Sequence, residues 1–311
     1  MKNCIVIYNP NSGNTLKQED ILTCKKFFSK YGYIPKFIPT QYAGHAKEIV
    51  SHIEKYDVVF SIGGDGTFNE VVTGNLLRKD RLVLCHIPVG TTNDVGKMFG
   101  YGKYFENNLK LALEGEVKKI DICLINDRPF VYVAGFGKFV TVAYETPRYL
   151  KEKYGYLAYL IEGIKDFFKP IKLYNITYNI NGIEKTGYYS FVLVSNANRI
   201  AGINNFYKDV KLDDDRFEVL FCNFRRRSDI VKTIKLLTTN DMNKVSGLEF
   251  YKTNHVEMEF ADYPKKSWCI DGEKLDRSTL KYEIKMVNNF EILMPNTYND
   301  ELFVKTKKKV K

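Results

Sequence analysis

Two glycine-containing turns, each placed directly after an apolar run, constrain the fold of this chain more than any other feature. GGDGT occupies Gly63 to Thr67 and follows the apolar run Val58 to Ile62. GTTND occupies Gly90 to Asp94 and follows the strand-like run from Arg81 to Pro88. A short apolar run that ends at glycines is typical of a buried parallel strand that leads into a helix. The sequence therefore predicts two strand–turn–helix units of an open α/β sheet, in which ligands bind outside the carboxyl ends of the strands.

The residue types in both turns suit the binding of phosphate groups. Glycine lets the backbone approach a phosphate closely, and the free amides at a helix N-terminus favour an anion. Asp65 lies in the first turn, where a carboxylate beside phosphates needs a metal ion or a hydrogen-bonding role. In the second turn, Thr91, Thr92 and Asn93 offer hydroxyl and amide groups before Asp94 begins a helix. A single turn of this kind is also a plain strand-to-helix connection, so the inference depends on the pair.

Composition indicates a globular protein with an anion-attracting surface. The chain has 311 residues, 44% of them hydrophobic, which is enough for two domains with cores of their own. Its net charge of +10 attracts nucleic acid or acidic lipid alike, and basic clusters lie at Arg225 to Arg227 and Lys305 to Lys311. For either cluster by itself, a solvated surface or a frayed tail is favoured over a dedicated membrane contact. No nucleic-acid-binding motif accompanies them, so we expect no nucleic-acid partner.

Cysteine usage and the N-terminus favour a reduced, cytoplasmic protein. The six cysteines form no CxxC pair and mostly lie in apolar runs, where the thiol packs as a small core residue. The first strand begins within a few residues of Met1, which leaves no room for a signal peptide, and no apolar run is long enough to span a membrane. The four histidines show no metal-ligand spacing, so we expect surface or core roles for them and no zinc.

The pattern of elements changes near residue 125. Strand and helix patterns alternate before it, which predicts a mainly parallel sheet covered on both faces. After it, short alternating strands dominate, and Asn181-Gly182 joins two of them as a hairpin turn. One helical stretch, Tyr156 to Phe168, interrupts them. We therefore predict an α/β fold: a nucleotide-binding domain with a mainly parallel sheet, plus a second, antiparallel β-sandwich domain.

Together with YNPNSG at Tyr8 to Gly13, the two turns resemble the diacylglycerol kinase catalytic family, the soluble lipid kinases that include sphingosine kinases. The stretch from Tyr144 to Gly163 is most similar to the Gram-positive diacylglycerol kinase branch. The resemblance implies a kinase that uses ATP and Mg²⁺ to phosphorylate the hydroxyl of diacylglycerol, giving phosphatidic acid. It also implies a cytoplasmic protein in peripheral contact with the anionic inner face of the membrane. Its domains would be 1–125 plus about 290–311 for nucleotide binding and about 126–289 for lipid and catalysis.

The resemblance assigns roles to individual residues. It places Asp65 at the nucleotide and metal site. Glu273, in the turn IDGE at Ile270 to Glu273, corresponds to the general base on the lipid hydroxyl, although an Asp-Gly turn is also a routine hairpin corner. The nucleotide pocket would be formed by Asn9, Gly63, Gly64, Gly66, Thr67, Gly90, Thr91, Asn93 and Asp94.

A metal site is implied for the acidic segment KLDDDRFEV at Lys211 to Val219. In the family, the aspartate matching Asp214 joins backbone carbonyls, here those of Lys211 and Arg216, around a structural magnesium ion. Three adjacent carboxylates repel one another unless they are solvated or bound to a metal, so a hard cation is one interpretation and a solvated loop the other. Asp215 replaces the family glycine, which makes the two carbonyl contacts less secure than Asp214.

Further departures keep other functions open. Asn14 stands where a basic residue often follows the SG turn, with Lys17 the nearest replacement, and Glu162 replaces an expected lysine. The alternatives are a kinase for another lipid, an NAD-kinase-like enzyme that shares GGDGT, or a noncatalytic sensor of nucleotide or lipid. GTTND and the DGE turn favour the lipid kinase. The sequence leaves the acyl-chain preference and the oligomeric state open, with a homodimer among the alternatives.

Overall fold

The computed structural model describes most of the chain: residues 1–10, 16, 18–140, 162–163, 165–200, 203–204, 207, 209–237, 247–275, 279–297 and 300–304. The chain divides into two compact units. Unit 1 contains Met1–Ile120 and Asn289–Asn299, and unit 2 contains Asp121–Asn288 and Asp300–Lys311. The domain limits given above stay a prediction. Residues 11–14 of the first SG turn, most of 144–163 and the basic tail 305–311 lie outside the described residues.

Unit 1 contains a parallel sheet with helices between its strands. The strands run in the order β2-β1-β3-β4, and the end of β18 joins β4 in parallel at Ile292 and Leu84. All residues of β3 are buried, as expected for a parallel strand covered on both faces. The elements are β1 Lys2–Tyr8, α1 Gln18–Lys30, β2 Tyr33–Pro39, α2 His45–His52, β3 Val58–Gly63, α3 Asp65–Leu76, β4 Val83–Pro88, α4 Asp94–Met98 and α5 Phe105–Leu113.

Unit 2 is built mainly from antiparallel strands. Its elements begin with β5 Glu116–Ile125, β6 Arg128–Phe130, β7 Val133–Gly137, β8 Tyr174–Ile180, β9 Ile183–Tyr189, β10 Phe191–Ser195, β11 Arg199–Ile200, β12 Ile203–Asn204 and β13 Phe217–Cys222. They continue with α6 Arg227–Leu237, β14 Leu248–Thr253, β15 His255–Phe260, β16 Cys269–Ile270, β17 Glu273–Lys274, β18 Lys281–Met294 and a 3₁₀ turn at Asp300–Leu302. The strands β5 and β18 contribute residues to both units.

Two layers of strands enclose the core of unit 2. One sheet has the order β14-β13-β10-β7-β16-β17, and the other layer contains the start of β18, then β15, β8 and β9, with β5 and β6 paired beside them. Both layers contribute side chains to one apolar cluster, in which Phe136 lies against Trp268 and Phe260 at ring-centroid distances of 5.6 and 4.7 Å. This is the sandwich expected from the alternating pattern. The predicted mixed α/β fold, with a mainly parallel sheet and a separate antiparallel sheet, is confirmed.

Local turn chemistry fixes the register of the predicted hairpin. Asn181 and Gly182 have φ angles of 54° and 78°, the left-handed backbone that a two-residue hairpin turn requires. The strands on either side pair from Ile180 opposite Ile183 to Tyr174 opposite Tyr189, so the hairpin prediction is confirmed.

All six cysteines are buried free thiols. Among the described residues, none of the helices is both long and apolar enough to span a bilayer.

Candidate active site

The candidate nucleotide residues of unit 1 lie at the carboxyl ends of three neighbouring strands. Asn9 follows β1, the GGDGT turn follows β3, and the GTTND turn follows β4, and these strands are consecutive in the sheet. Backbone bonds join the strand ends: Asn9 N–H donates to the Ile62 carbonyl at 3.2 Å, and Val89 N–H donates to the Gly63 carbonyl at 2.9 Å. All the predicted nucleotide residues therefore share one edge of the parallel sheet.

The carboxylate of Asp65 links the two turns. It is the first residue of α3, yet its Oδ2 accepts the backbone N–H of Asp94 at 3.0 Å and its Oδ1 accepts that of Val95 at 3.3 Å. The Thr92 hydroxyl lies 3.5 Å from Oδ2. A carboxylate that accepts the first amides of α4 fixes the start of that helix against the first turn. Asp65 thus has a hydrogen-bonding role that holds both turns in one arrangement.

The two turns approach each other so closely that glycine is required. A Cβ atom on Gly90 would lie 2.7 Å from the Cα of Gly64 and 2.8 Å from Oδ1 of Asn93. Asn93 has a left-handed φ of 51°, and its side-chain Nδ2 donates to the Gly90 carbonyl at 2.7 Å. These contacts leave Thr91 exposed at the tip of the second turn. The exposed rim therefore consists of backbone and small polar groups, as a phosphate-binding edge requires.

His86 lies directly behind this edge and was not singled out by the sequence. It lies on β4 opposite Ser61 of β3, is fully buried, and stacks on Phe68 at a ring-centroid distance of 4.7 Å. Its Nε2 is 3.8 Å from Oδ1 of Asp65. Burial lowers the pKa of His86 to about 3, so the ring is neutral at physiological pH. The only signal for His86 in the sequence is its position, two residues before the end of an apolar strand.

Glu273 of unit 2 is presented to solvent by a rigid turn. Asp271 and Gly272 have left-handed φ angles of 48° and 89°, and Glu273 follows with a side chain that is 46% exposed. Arg128 Nη2 donates to Oε2 of Glu273 at 3.0 Å. An arginine beside a carboxylate restricts the orientation of the carboxylate.

Asp271 anchors that turn, a role that the sequence did not reveal. Its buried carboxylate accepts three consecutive backbone N–H groups, from Val131 at 2.7 Å and from Tyr132 and Val133 at 3.1 Å each. The carboxylate therefore fixes the turn of IDGE to the start of β7, and the position of Glu273 depends on it.

The acidic run Asp213, Asp214 and Asp215 is engaged by protein groups. Asp213 accepts the N–H of Val304 at 2.7 Å, and Asp215 accepts side-chain amides of Asn254 at 3.2 Å and Asn288 at 2.9 Å. Asp215 has a left-handed φ of 55°, which explains how it fits where the family has glycine. The run is thus held by hydrogen bonds from protein groups and is not simply solvated.

Asp214, the predicted metal ligand, faces a lysine. Lys252 Nζ lies 3.1 Å from Oδ2 of Asp214 and 3.5 Å from Oε1 of the buried Glu218. Burial raises the pKa of Glu218 to about 8, and Lys252 opposes that shift. The other two predicted ligands are the backbone carbonyls of Lys211 and Arg216, and their part in a metal site stays a prediction. The Lys211 ammonium donates to the Glu301 carbonyl, and the Arg216 side chain is exposed. A resident divalent ion does not fit beside an ammonium that already holds this carboxylate. Among the described residues, no group of three or more histidine, cysteine, aspartate and glutamate side chains is arranged to hold a metal ion.

Comparison with known proteins finds similarity to diacylglycerol kinases. Residues 3–125 match the family model of the diacylglycerol kinase catalytic domain. Over 308 residues, the chain is 29% identical to diacylglycerol kinases of Staphylococcus aureus strains JH9 and Newman, covering 97% of this chain and 95% of each relative.

Solved structures show the same fold. A candidate diacylglycerol kinase from Bacillus anthracis str. Sterne superposes with a TM-score of 0.79 at 21% identity, covering 96% of this chain and 97% of that one. A diacylglycerol kinase structure from the same organism has a TM-score of 0.75 at 21% identity, covering 95% and 98%.

Proposed function

Because the chain carries a catalytic domain of the diacylglycerol kinase family and is similar to curated diacylglycerol kinases over nearly its whole length, we propose that it is an ATP-dependent lipid kinase. Its reaction is the transfer of the γ-phosphoryl group of ATP to the hydroxyl of diacylglycerol, which gives phosphatidic acid and ADP. The observation that carries this proposal is the Asp65 carboxylate, which bonds the amides of Asp94 and Val95 and so joins the two phosphate-type turns.

The nucleotide phosphates are proposed to bind along the rim of the two turns. Phosphoryl transfer requires mainly positioning and the neutralisation of charge, and backbone amides of the GGDGT turn and α3 supply fixed donors for that purpose. Asp65 maintains the spacing of the turns, and Thr67, Thr91 and Asn93 contribute side-chain hydroxyl and amide groups. Mg²⁺ would arrive with the nucleotide and neutralise its phosphates. We propose no protein ligand for it.

Glu273 is proposed to be the general base. The lipid hydroxyl oxygen forms a bond to the γ-phosphorus, the bond from that phosphorus to the β–γ bridging oxygen breaks, and the hydroxyl proton passes to Glu273. Its exposure and the hydrogen bond from Arg128, which orients the carboxylate, support this role. Asp271 holds the turn in place and so acts as a positioning residue.

Transfer of labelled phosphate from Mg-ATP tests the proposal, with diacylglycerol, a sphingoid base, phosphatidylglycerol and NAD as parallel acceptors in mixed micelles. We expect product on diacylglycerol, a loss of at least about 100-fold with Glu273→Gln, and ATP binding that survives in that variant. Asp65→Asn should weaken nucleotide binding itself. Glu283→Gln is the matched control, because Glu283 is also a surface glutamate on a strand and pairs with His255 and Lys285.

Other outcomes of this assay would redirect the proposal. Product on another acceptor would keep the nucleotide chemistry and replace the substrate. ATP binding without transfer to any acceptor would favour a noncatalytic sensor. Full activity in Glu273→Gln would show that Glu273 is not the general base.

We also propose peripheral contact with the anionic inner face of the membrane, through a basic face of unit 2 formed by Arg225, Arg226, Arg227 and Phe168. The Phe168 side chain is 62% exposed, and Arg227 donates to the Phe168 carbonyl at 2.6 Å with its guanidinium 5.6 Å from the ring centroid. An exposed aromatic ring among cations suits an interface of headgroups and acyl chains.

Vesicle flotation tests this face. Phosphatidylglycerol vesicles should bind the protein in a salt-sensitive manner, and phosphatidylcholine vesicles should bind it weakly. The double variant Arg225→Glu with Arg226→Glu should lose most of the difference in binding between the two kinds of vesicle. Replacing Lys281 and Lys285, two exposed lysines of β18, by glutamate gives a variant with the same charge change elsewhere. Equal losses in both double variants would show that only net charge matters.

A further inference from the structure

The Lys252 ammonium is surrounded by the kind of ligands that a hard metal ion takes. Its Nζ lies 2.8 Å from the carbonyl oxygen of Asp209, 3.1 Å from Oδ2 of Asp214 and 3.5 Å from Oε1 of Glu218. Two carboxylates and a backbone carbonyl are oxygen donors of the type that Mg²⁺ and Ca²⁺ prefer. The ammonium therefore occupies a small all-oxygen cation site within unit 2.

The position of Lys252 is set by the sheet. Lys252 on β14 is the direct cross-strand partner of Glu218 on β13, so the two side chains lie on the same face of the sheet. Glu218 is 1% exposed, and ionising a carboxyl group at such a buried position is costly unless a cation lies beside it. The pairing of β13 with β14 thus places Lys252 beside Glu218.

Two buried oxygens of this cluster, Oδ1 of Asp214 and Oε2 of Glu218, have no hydrogen-bond partner among the described residues. A buried acceptor without a partner costs free energy. One ammonium shared between two carboxyl groups thus leaves one oxygen of each without a partner.

We propose that Lys252 is a built-in cation that takes the place of a divalent metal ion at Asp214. The support of the acidic segment is then independent of metal, and any Mg²⁺ requirement of the protein comes from the nucleotide alone. Removing the ammonium should convert the same oxygens into a site that binds Mg²⁺. This inference does not depend on the proposed kinase activity, because its test measures stability without nucleotide.

The experiment is thermal unfolding with and without millimolar MgCl₂, in the absence of nucleotide and with NaCl added to equalise ionic strength. The unaltered protein should show no Mg²⁺-specific rise in Tm. Lys252→Met should be less stable without Mg²⁺ and should gain about 5 °C or more when Mg²⁺ exceeds its Kd roughly 100-fold. Lys252→Arg, which keeps a positive charge, should not respond.

Two controls make the result specific. The double variant Lys252→Met with Asp214→Asn should lose the response to Mg²⁺, and Lys281→Met, which removes a surface lysine 3.3 Å from Glu259, should not gain one. A Mg²⁺-dependent rise in the unaltered protein that Asp214→Asn abolishes would overturn the proposal, because a metal would then bind beside the lysine. A Lys252→Met variant that folds and ignores Mg²⁺ would overturn it too.

Discussion

Replacing His86 by leucine should make the protein less sensitive to acid. His86 is fully buried, and its pKa is lowered to about 3 by burial, whereas an unfolded histidine titrates near 6.5. Above about pH 6.5 both states bind no proton at this ring, so its favourable contribution to stability is complete. As pH falls below that value, the unfolded state binds a proton that the folded state does not accept until about pH 3, and stability is lost.

The magnitude follows from the two pKa values. Proton linkage gives a loss of about 2 kcal/mol between pH 7 and pH 5 from this one ring, and roughly 5 kcal/mol once pH falls to the folded pKa. His86→Leu removes the ring and with it this share of the acid sensitivity. Near neutral pH the variant should be at least as stable as the unaltered protein. The reason is that neither ring nitrogen has a well-formed hydrogen bond within the described residues, only a weak contact with the backbone of Ser61, and leucine has a similar volume.

Urea unfolding at about pH 7 and about pH 5 measures the effect, with stability taken from the midpoint and slope. The unaltered protein should lose about 2 kcal/mol more than His86→Leu between the two conditions. His52→Gln, which changes an exposed histidine of α2, should behave like the unaltered protein. Parallel losses in the unaltered protein and His86→Leu would refute the reasoning, because His86 would then titrate alike in the folded and unfolded states.

Two further substitutions test packing at other places. Gly90→Ala should fold but bind ATP at least about 10-fold more weakly, because its Cβ would lie 2.7 Å from the Gly64 Cα. Calorimetric titration measures the affinity for ATP. The control Gly102→Ala, whose Cβ would be 3.9 Å from its nearest neighbour, should bind ATP normally. Lys138→Met should cost about 2 kcal/mol in urea unfolding, since the buried carboxylate of Asp166 loses the buried ammonium 3.6 Å away and keeps only that of the more exposed Lys169. A loss below about 1 kcal/mol would show that the pair of Lys138 and Asp166 contributes little.

Sequence reasoning succeeded where the signal is local. The apolar run Val58 to Ile62 and the glycines after it fix a strand and its turn within a few residues, and Asn181-Gly182 fixes a hairpin in the same way. The carboxyl ends of consecutive parallel strands then share one sheet edge, which brings the two turns together without any knowledge of side-chain packing.

The contacts that determine chemistry are not local, and for that reason the sequence could not supply them. Asp215 stands where the resembling family has glycine and was expected to make the two carbonyl contacts less secure. Aspartate tolerates a left-handed backbone, and two amides bind its side chain. The partner of Asp214 depends on the register of β13 against β14, which places Lys252 beside Glu218. A shift of one residue would turn Lys252 to the opposite face of the sheet and leave two carboxylates without a cation. A run of aspartates thus predicts a need for positive charge, and only the pairing of distant strands decides whether a metal ion or a lysine provides it.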